Sequence, residues 1–350
     1  MRAIIRLCAA ALTVTVSVSA ASAVTAAARA AEVTLTVHHF LSPRSPTHTK
    51  FILPWAERVE AQSKGRIKVE VFPSMSMGGK PPELYRQVRD GAADIVWTLI
   101  GYTPGVFPRS EVFELPTVHR GSARATTLAI QDNFDLIAAD YADLKPILVH
   151  VHAGNALHLR DKAVRSVEEV KGLKLRTPSR SGAWMIEAWG AEPVGMPVPA
   201  LPEALSKGTV DGALVPFEIM LPLKLQELTR YSVEGGDGSR FGTSVFLYAM
   251  NKERYEALPA DLKAVIDANA GAAIAGEIGA VWDGVEALGK DAQTRSGGEV
   301  IALDAEAKGG FDARGAEVVD RWIREARDNG IDGEALVEAA RAAVARHGAR

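Results

Sequence analysis

Apolar and polar residues alternate with a period of two from Glu32 to Val37, which predicts a first strand. A loop with two prolines, "HHFLSPRSPTHT", leads into "KFILPWAERVEAQSKG", a helix expected to stop at Gly65. "RIKVEVFP" alternates again, and "PPELYRQVRDG" opens on proline and closes on glycine as helices do. "ADIVWTLI" is almost continuously apolar, the pattern of a parallel strand buried on both faces. This β-α-β-α-β order predicts an open α/β domain.

The pattern changes further along. "KPILVHVHAG" reads as a long strand, and "SVEEVKG" as a short helix with Ser166 as N-cap and Glu169 completing a capping box. "LKLRTP" is a strand and "SGAWMIEAWG" a helix ending at Gly190; "PVPALPEALSKGTVDGALVPFE" repeats the helix–glycine–strand order. "SRFGTSVFLYAMN" is a second long strand, followed by a long helical stretch with breaks and an amphipathic tail from Phe311 to Arg350. Long strands near residues 150 and 245 can both carry the chain between the same two units. Two crossovers make a hinge, and a cleft between hinged lobes encloses a small ligand. The expected architecture is therefore a two-lobed α/β fold with an interlobe cleft, hinge strands and long C-terminal helices. Residues 31–154 and 243–282 would form lobe I, residues 155–242 and 283–330 lobe II, and residues 331–350 a C-terminal helix.

Residues 1–30 read as a secretory signal. Arg2 and Arg6 precede an apolar, small-residue run from Leu7 to about Val24, and Ala-x-Ala sites follow at Ala21-Ser22-Ala23 and Ala28-Arg29-Ala30. Cleavage is expected near Ala30 or Ala31, and the product in the periplasm. Cys8, the single cysteine, lies in that segment, so the remainder offers no thiol or disulfide chemistry. The formal net charge is −3, and loss of three signal arginines makes it more acidic. No basic stripe stands out, which argues against a nucleic-acid partner. No second run looks apolar enough to span a bilayer.

The candidate chemistry is thin for an enzyme. The chain has no G-x-S-x-G elbow, G-x-G-x-x-G, Walker loop or H-E-x-x-H. Carboxylate pairs such as Glu168-Glu169 fall on solvated ends, where capping explains them. His150-x-His152 places two rings on one strand face, but no third ligand is evident, so neither a metal nor another cofactor is expected. Arg176 is different. In "KGLKLRTPSR", Leu173 and Leu175 point one way and Lys174 and Arg176 the other, and Pro178 then ends the ladder. That puts a guanidinium at a strand terminus, where open α/β sheets bind ligands. Its rigid fork of donors fits a carboxylate through paired hydrogen bonds.

These residues resemble the periplasmic solute-binding proteins of tripartite ATP-independent periplasmic (TRAP) transporters, of the dicarboxylate-binding type. The resemblance runs through "GRIKVEVFPSMSMGG", "LYRQVRDGAADI", "PRSEVFELP", "VKGLKLRTP", "ALSKGTVDGA" and "MNKERYEALPADLKAVI", in that order over roughly residues 33 to 325. It implies capture of a small organic acid by Arg176 and delivery to membrane permease subunits. The departures bear on the ligand. Val215 stands where many members carry Asn, and Ala156 where many carry a second arginine; Trp97, Leu99 and Ile100 replace polar groups at a strand end. A monocarboxylate with an aromatic or apolar body is expected, held by Arg176, Val215, Leu99 and Ser244. Phe40, Trp97, Trp184 and Phe217 would supply an aromatic wall, with His39 and His158 as neutral hydrogen-bonding groups. A polar acid, a sensor role beside a membrane kinase, or an exported enzyme using His39 or His158 as base are the competing readings.

Overall fold

The computed structural model describes residues 31–348, so the signal-like segment lies outside the described residues. Strands β1 (Val33–His39), β2 (Ile67–Phe72), β3 (Ile95–Leu99), β4 (Leu144–Val151) and β10 (Val245–Asn251) form a five-stranded sheet in the order β2-β1-β3-β10-β4. β1 runs parallel to β2 and β3, while β10 is antiparallel to β3 and β4. Every residue of β3 is buried, which is why its sequence does not alternate. Strands β5 (Ala156–Leu159), β6 (Lys174–Thr177), β7 (Glu192–Gly195), β8 (Gly212–Val215), β9 (Tyr231–Gly235) and β11 (Glu299–Leu303) form a six-stranded sheet in the order β11-β9-β5-β8-β6-β7.

The chain passes from the first sheet to the second between β4 and β5, and returns between β9 and β10, as the two long strands led one to expect. A third connection, implied by the lobe boundary expected at residues 282/283, is made by a helix. The 24-residue helix Ala272–Arg295 packs on the helix Ala123–Asp132 and β4 on one side, and on the Phe217–Leu223 segment and β11 on the other. The predicted helical stretch breaks at Gly271, whose φ of +55° suits glycine and whose N–H donates to the Ile147 carbonyl at 2.7 Å. One 18-residue window within Ala260–Arg295 reaches a mean hydropathy of 1.3, enough by length and composition to pass for a membrane span, which the sequence reading did not single out. Its apolar side is accounted for by burial of Ile274, Ile278, Trp282 and Val285 against the two sheet layers. The last helix, Gly333–Gly348, folds back onto the helix Ala123–Asp132.

One local expectation fails. Val167–Val170 is a single 3₁₀ turn, and Ser166 does not cap it with its side chain. The Glu169 N–H that a capping box would use is taken by the Ser166 carbonyl, and the Glu169 carboxylate accepts from the Arg165 N–H at 2.7 Å instead.

The long helix approaches the second sheet closely at one point. A Cβ on Gly289 would lie 1.9 Å from the Phe217 carbonyl oxygen, well inside contact distance. Gly289→Ala should therefore push the 215–219 segment away and destabilise the protein by about 1–3 kcal/mol, read as a lower urea midpoint at unchanged slope. An unchanged midpoint would mean that this contact is not a tight one.

Candidate functional site

β6 ends on Arg176 and Thr177, because Pro178 has no N–H with which to continue the ladder. Ser179 then caps the helix Arg180–Ala188 by accepting the Gly182 N–H at 3.3 Å. Arg176 is thus fixed at a strand end and is only 2 % exposed. Its Nε donates to the Met196 carbonyl at 3.0 Å and its Nη1 to the Leu214 carbonyl at 3.3 Å. Nη2 is buried without a partner. Burial pushes the guanidinium below its ordinary value, while the neighbouring Tyr102 phenol acts against that shift.

Arg176 lines a cavity enclosing about 380 Å³ of empty space, its mouth included. One wall is aromatic. Trp97 stacks on Phe246 with ring centres 4.6 Å apart and 10° between planes, and Phe40 meets both Trp97 (5.0 Å) and Tyr102 (5.5 Å). The Trp97 indole N–H donates to His150 Nε2 at 2.9 Å, so the wall is held in place from behind. Leu99, Leu214, Val215 and Ile219 add apolar surface. Polar groups are few: besides Arg176, the lining holds His152, Asn155, Glu218 and Ser244. His152 Nδ1 accepts the Gly154 N–H at 2.9 Å and burial holds the ring far below its ordinary value, so it is neutral with its proton on Nε2. Asn155 Oδ1 and Glu218 Oε2 are buried without partners. Burial, and then the nearby Glu286, push the Glu218 carboxyl up to about 8.

Contacts between the two sheet layers close the cavity. Tyr102, which follows β3, accepts the Val198 N–H on its hydroxyl at 2.9 Å. Arg180 clasps Glu111 through Nε and Nη2 at 2.6–3.0 Å and reaches Glu325 at 2.6 Å. Next to it, Ser181 Oγ donates to Glu114 Oε2 at 3.0 Å.

The structure brings together Arg176, Phe40, Trp97, Leu99, Val215 and Ser244 on this lining. Four predicted residues need correction. His39 is buried beside the cavity's aromatic layer but faces His48, with Nε2 to Nδ1 at 3.0 Å. His158 spends both nitrogens inside the second sheet, on Ser232 Oγ (2.8 Å) and the Val215 carbonyl (3.2 Å), so it is a structural group with no base to offer. Trp184 lies under the guanidinium groups of Arg180 and Arg321, 5.0 and 4.2 Å from its ring centre, outside the cavity. Phe217 is turned away between its cavity-lining neighbours Pro216 and Glu218, against His158, Arg240 and Lys290. Ala156 is also absent from the lining; it is buried in β5, opposite Val215. His150 and His152 are engaged as above, and among the described residues no cluster of three or more metal-ligating side chains occurs.

Sequence reasoning missed Tyr102, Asn155, Glu218 and Phe246. Glu218 could have been found from its place just beyond an apolar strand end in "DGALVPFE", the same signal that singled out Arg176. Nothing local marks Tyr102 and Asn155, which reach the cavity from segments next to β3 and β5.

Residues 37–325 match the family described as bacterial extracellular solute-binding protein, family 7. A solved TRAP solute binding protein from a marine metagenome, specific for aromatic acid ligands and in complex with 3-hydroxybenzoate, is 43% identical with a TM-score of 0.87; the match covers 91% of this chain and 99% of that one. A TRAP solute binding protein from Rhodoferax ferrireducens, in complex with copurified benzoate, is 39% identical with a TM-score of 0.87 over 90% of this chain and 98% of that one. The outer membrane transporter protein TsaT of Comamonas testosteroni is 26% identical over 97% of this chain and 98% of its own length. A strand-end arginine facing a cavity between two α/β layers, with a family match over most of the length, leads to one conclusion: the chain belongs to family 7 of the bacterial extracellular solute-binding proteins, the solute-binding proteins of TRAP transporters.

Proposed function

We propose that the protein captures aromatic monocarboxylates and hands them to the membrane permease subunits of a TRAP transporter. One observation carries the choice of ligand: a buried guanidinium with an unpartnered Nη2 faces a cavity walled by Phe40, Trp97, Tyr102 and Phe246. A carboxylate satisfies that nitrogen and offsets the desolvated charge, and a ring fills the rest by stacking. The ligands of the 43% and 39% identical relatives, 3-hydroxybenzoate and benzoate, have this chemistry. A second carboxylate would meet Leu99, Val215 and the acid Glu218, and burying it unpaired costs about 1–3 kcal/mol or more. His158 and His39, the bases an enzyme reading needs, do not line the cavity.

We propose further a role for each part of the chain. Residues 1–30 direct export, with cleavage near Ala30 or Ala31 and periplasmic residence. Residues 31–154 with 243–282 act as one lobe and 155–242 with 283–330 as the other, with the last helix, within 331–350, fastened to the first. Ligand entry requires the lobes to part, which breaks the Arg180–Glu111 clasp.

Arg176→Ala should weaken benzoate binding at least about 100-fold in calorimetry, as expected when one partner of a buried charge pair is removed, while circular dichroism stays native. Unaltered affinity would reject the anchor. Arg180→Ala should act on kinetics: faster release of benzoate by about tenfold in stopped-flow tryptophan fluorescence, with little change in association. A release rate equal to that of the parent protein would show that the clasp does not hold the closed state.

A further inference from the structure

Glu218, like Asn155, is a polar group in the cavity that carboxylate capture leaves unexplained, and of the two it is the ionisable one. It sits three residues past the end of β8 and is 7 % exposed. Its Oε2 is buried with no partner, and it shares the cavity lining with Arg176. Behind it lies a chain of charges. The Glu218 N–H donates to Glu286 Oε1 at 3.0 Å, Glu286 Oε2 pairs with Arg240 at 3.2 Å, and Glu234 takes both Arg240 and Lys290. The two cations are thus engaged by Glu286 and Glu234, and Glu218 is left without one. A buried carboxyl with no cation beside it keeps its proton.

We infer that Glu218 is the specificity-determining residue for the body of the ligand, hydrogen-bonding a hydroxyl carried on the aromatic ring while Arg176 holds the carboxylate. This rests on the proposed capture of aromatic monocarboxylates and narrows it to hydroxylated ones. The chemistry fits both ends. A protonated carboxyl donates one hydrogen bond and accepts others, and a phenol hydroxyl does the same. Being neutral, it adds no repulsion to a bound carboxylate. With benzoate the Glu218 oxygen stays unpartnered; with hydroxybenzoate it is satisfied, which is the asymmetry that makes a polar pocket selective.

The groups facing Glu218 define its response to pH. Glu286 from the long helix opposes its ionisation, Arg240 from the β9–β10 crossover is screened by Glu286, and Arg176, His152 and Tyr102 share the cavity. Arg176 stays charged, His152 neutral and Tyr102 protonated around neutrality, because burial lowers His152 and raises Tyr102. Burial lifts Glu218 to about 8. A bound carboxylate raises it further, so affinity is constant below that value and falls as pH rises through it, by up to about tenfold per unit.

The test is calorimetric titration of the purified protein with benzoate, 3-hydroxybenzoate, 4-hydroxybenzoate and phenylalanine, from pH 6 to 9.5. The parent protein should prefer one of the hydroxybenzoates over benzoate by about tenfold. Glu218→Met should remove that preference, lowering hydroxybenzoate affinity about tenfold relative to benzoate affinity. Glu218→Gln, which still donates and accepts, should keep much of the preference and lose the alkaline fall. An unchanged preference in Glu218→Met overturns the inference. So does a loss of benzoate and hydroxybenzoate binding in equal proportion, which would place Glu218 at the carboxylate end. Stronger binding of phenylalanine than of any hydroxybenzoate would overturn it too, making Glu218 a partner for an ammonium group. If the parent protein binds none of the benzoates, the capture reading itself falls and takes this inference with it. If benzoate binds normally and only the preference is insensitive to residue 218, the capture reading stands.

Discussion

A permanent cation held out of water is expensive; the desolvation penalty for an ion in a protein interior is several kcal/mol. Arg176 carries that penalty at the end of β6. The Met196 and Leu214 carbonyls return part of it by accepting from Nε and Nη1, and they also fix the plane of the guanidinium. Much of the surrounding sequence serves this placement. Pro178 stops the strand, Ser179 starts the next helix, and Tyr102 stands beside the charge from the other layer. The protein leaves Nη2 without a partner, the place the proposed function gives to a ligand carboxylate. On that proposal, part of the binding energy is held in the free protein as an incompletely solvated charge, and a preformed fork loses little entropy on docking.

The second layer of organisation is the cluster formed by Glu234, Arg240, Glu286 and Lys290. It joins a chain crossover to the long helix that spans both sheets. Buried ion pairs are weak sources of stability but strict about geometry. Here they fix the register of the helix against the segment that carries Val215 and Glu218. Gly289 completes the arrangement by letting the Phe217 backbone come within a distance no side chain allows. The floor of the cavity is thus set by contacts on its far side, among residues outside the lining.

Much of this was legible in the chain. Period-two alternation located β1 and β2, glycine stops ended the helices at Gly65 and Gly190, and the proline after Arg176 marked a strand terminus. These signals are local, so they survive in sequence. The misassigned residues failed for one reason. Phe217, Trp184, His39 and His158 all lie near the cavity in sequence or in space, but the direction of a side chain depends on what packs behind it. Phe217 points to Arg240 and Lys290, residues distant in sequence, and Trp184 is claimed by Arg321 from a helix that begins at Ala305. Tyr102 and Asn155 escaped notice for the converse reason: Tyr102 ends a 3₁₀ turn after β3 and Asn155 lies in the link before β5, short connections whose positions are set by the closed arrangement of the two layers. The capping box at Ser166 shows a motif overridden by backbone economy, since a single 3₁₀ turn uses the very amide the motif requires.

The order of strands has a consequence for how the molecule comes into being. In the first sheet β10 lies between β3 and β4, although nearly a hundred residues separate it from β4 in the chain and all of the second sheet except β11 is made in between. Neither sheet can be completed from a continuous piece of chain: the first waits for Val245–Asn251 and the second for Glu299–Leu303. Such distant pairings carry a large loop-closure entropy and make folding slow. A nascent chain of this design holds no finished sheet until most of it has been synthesised. It therefore stays threadable late into its synthesis, a property that suits a polypeptide folding on the far side of a membrane.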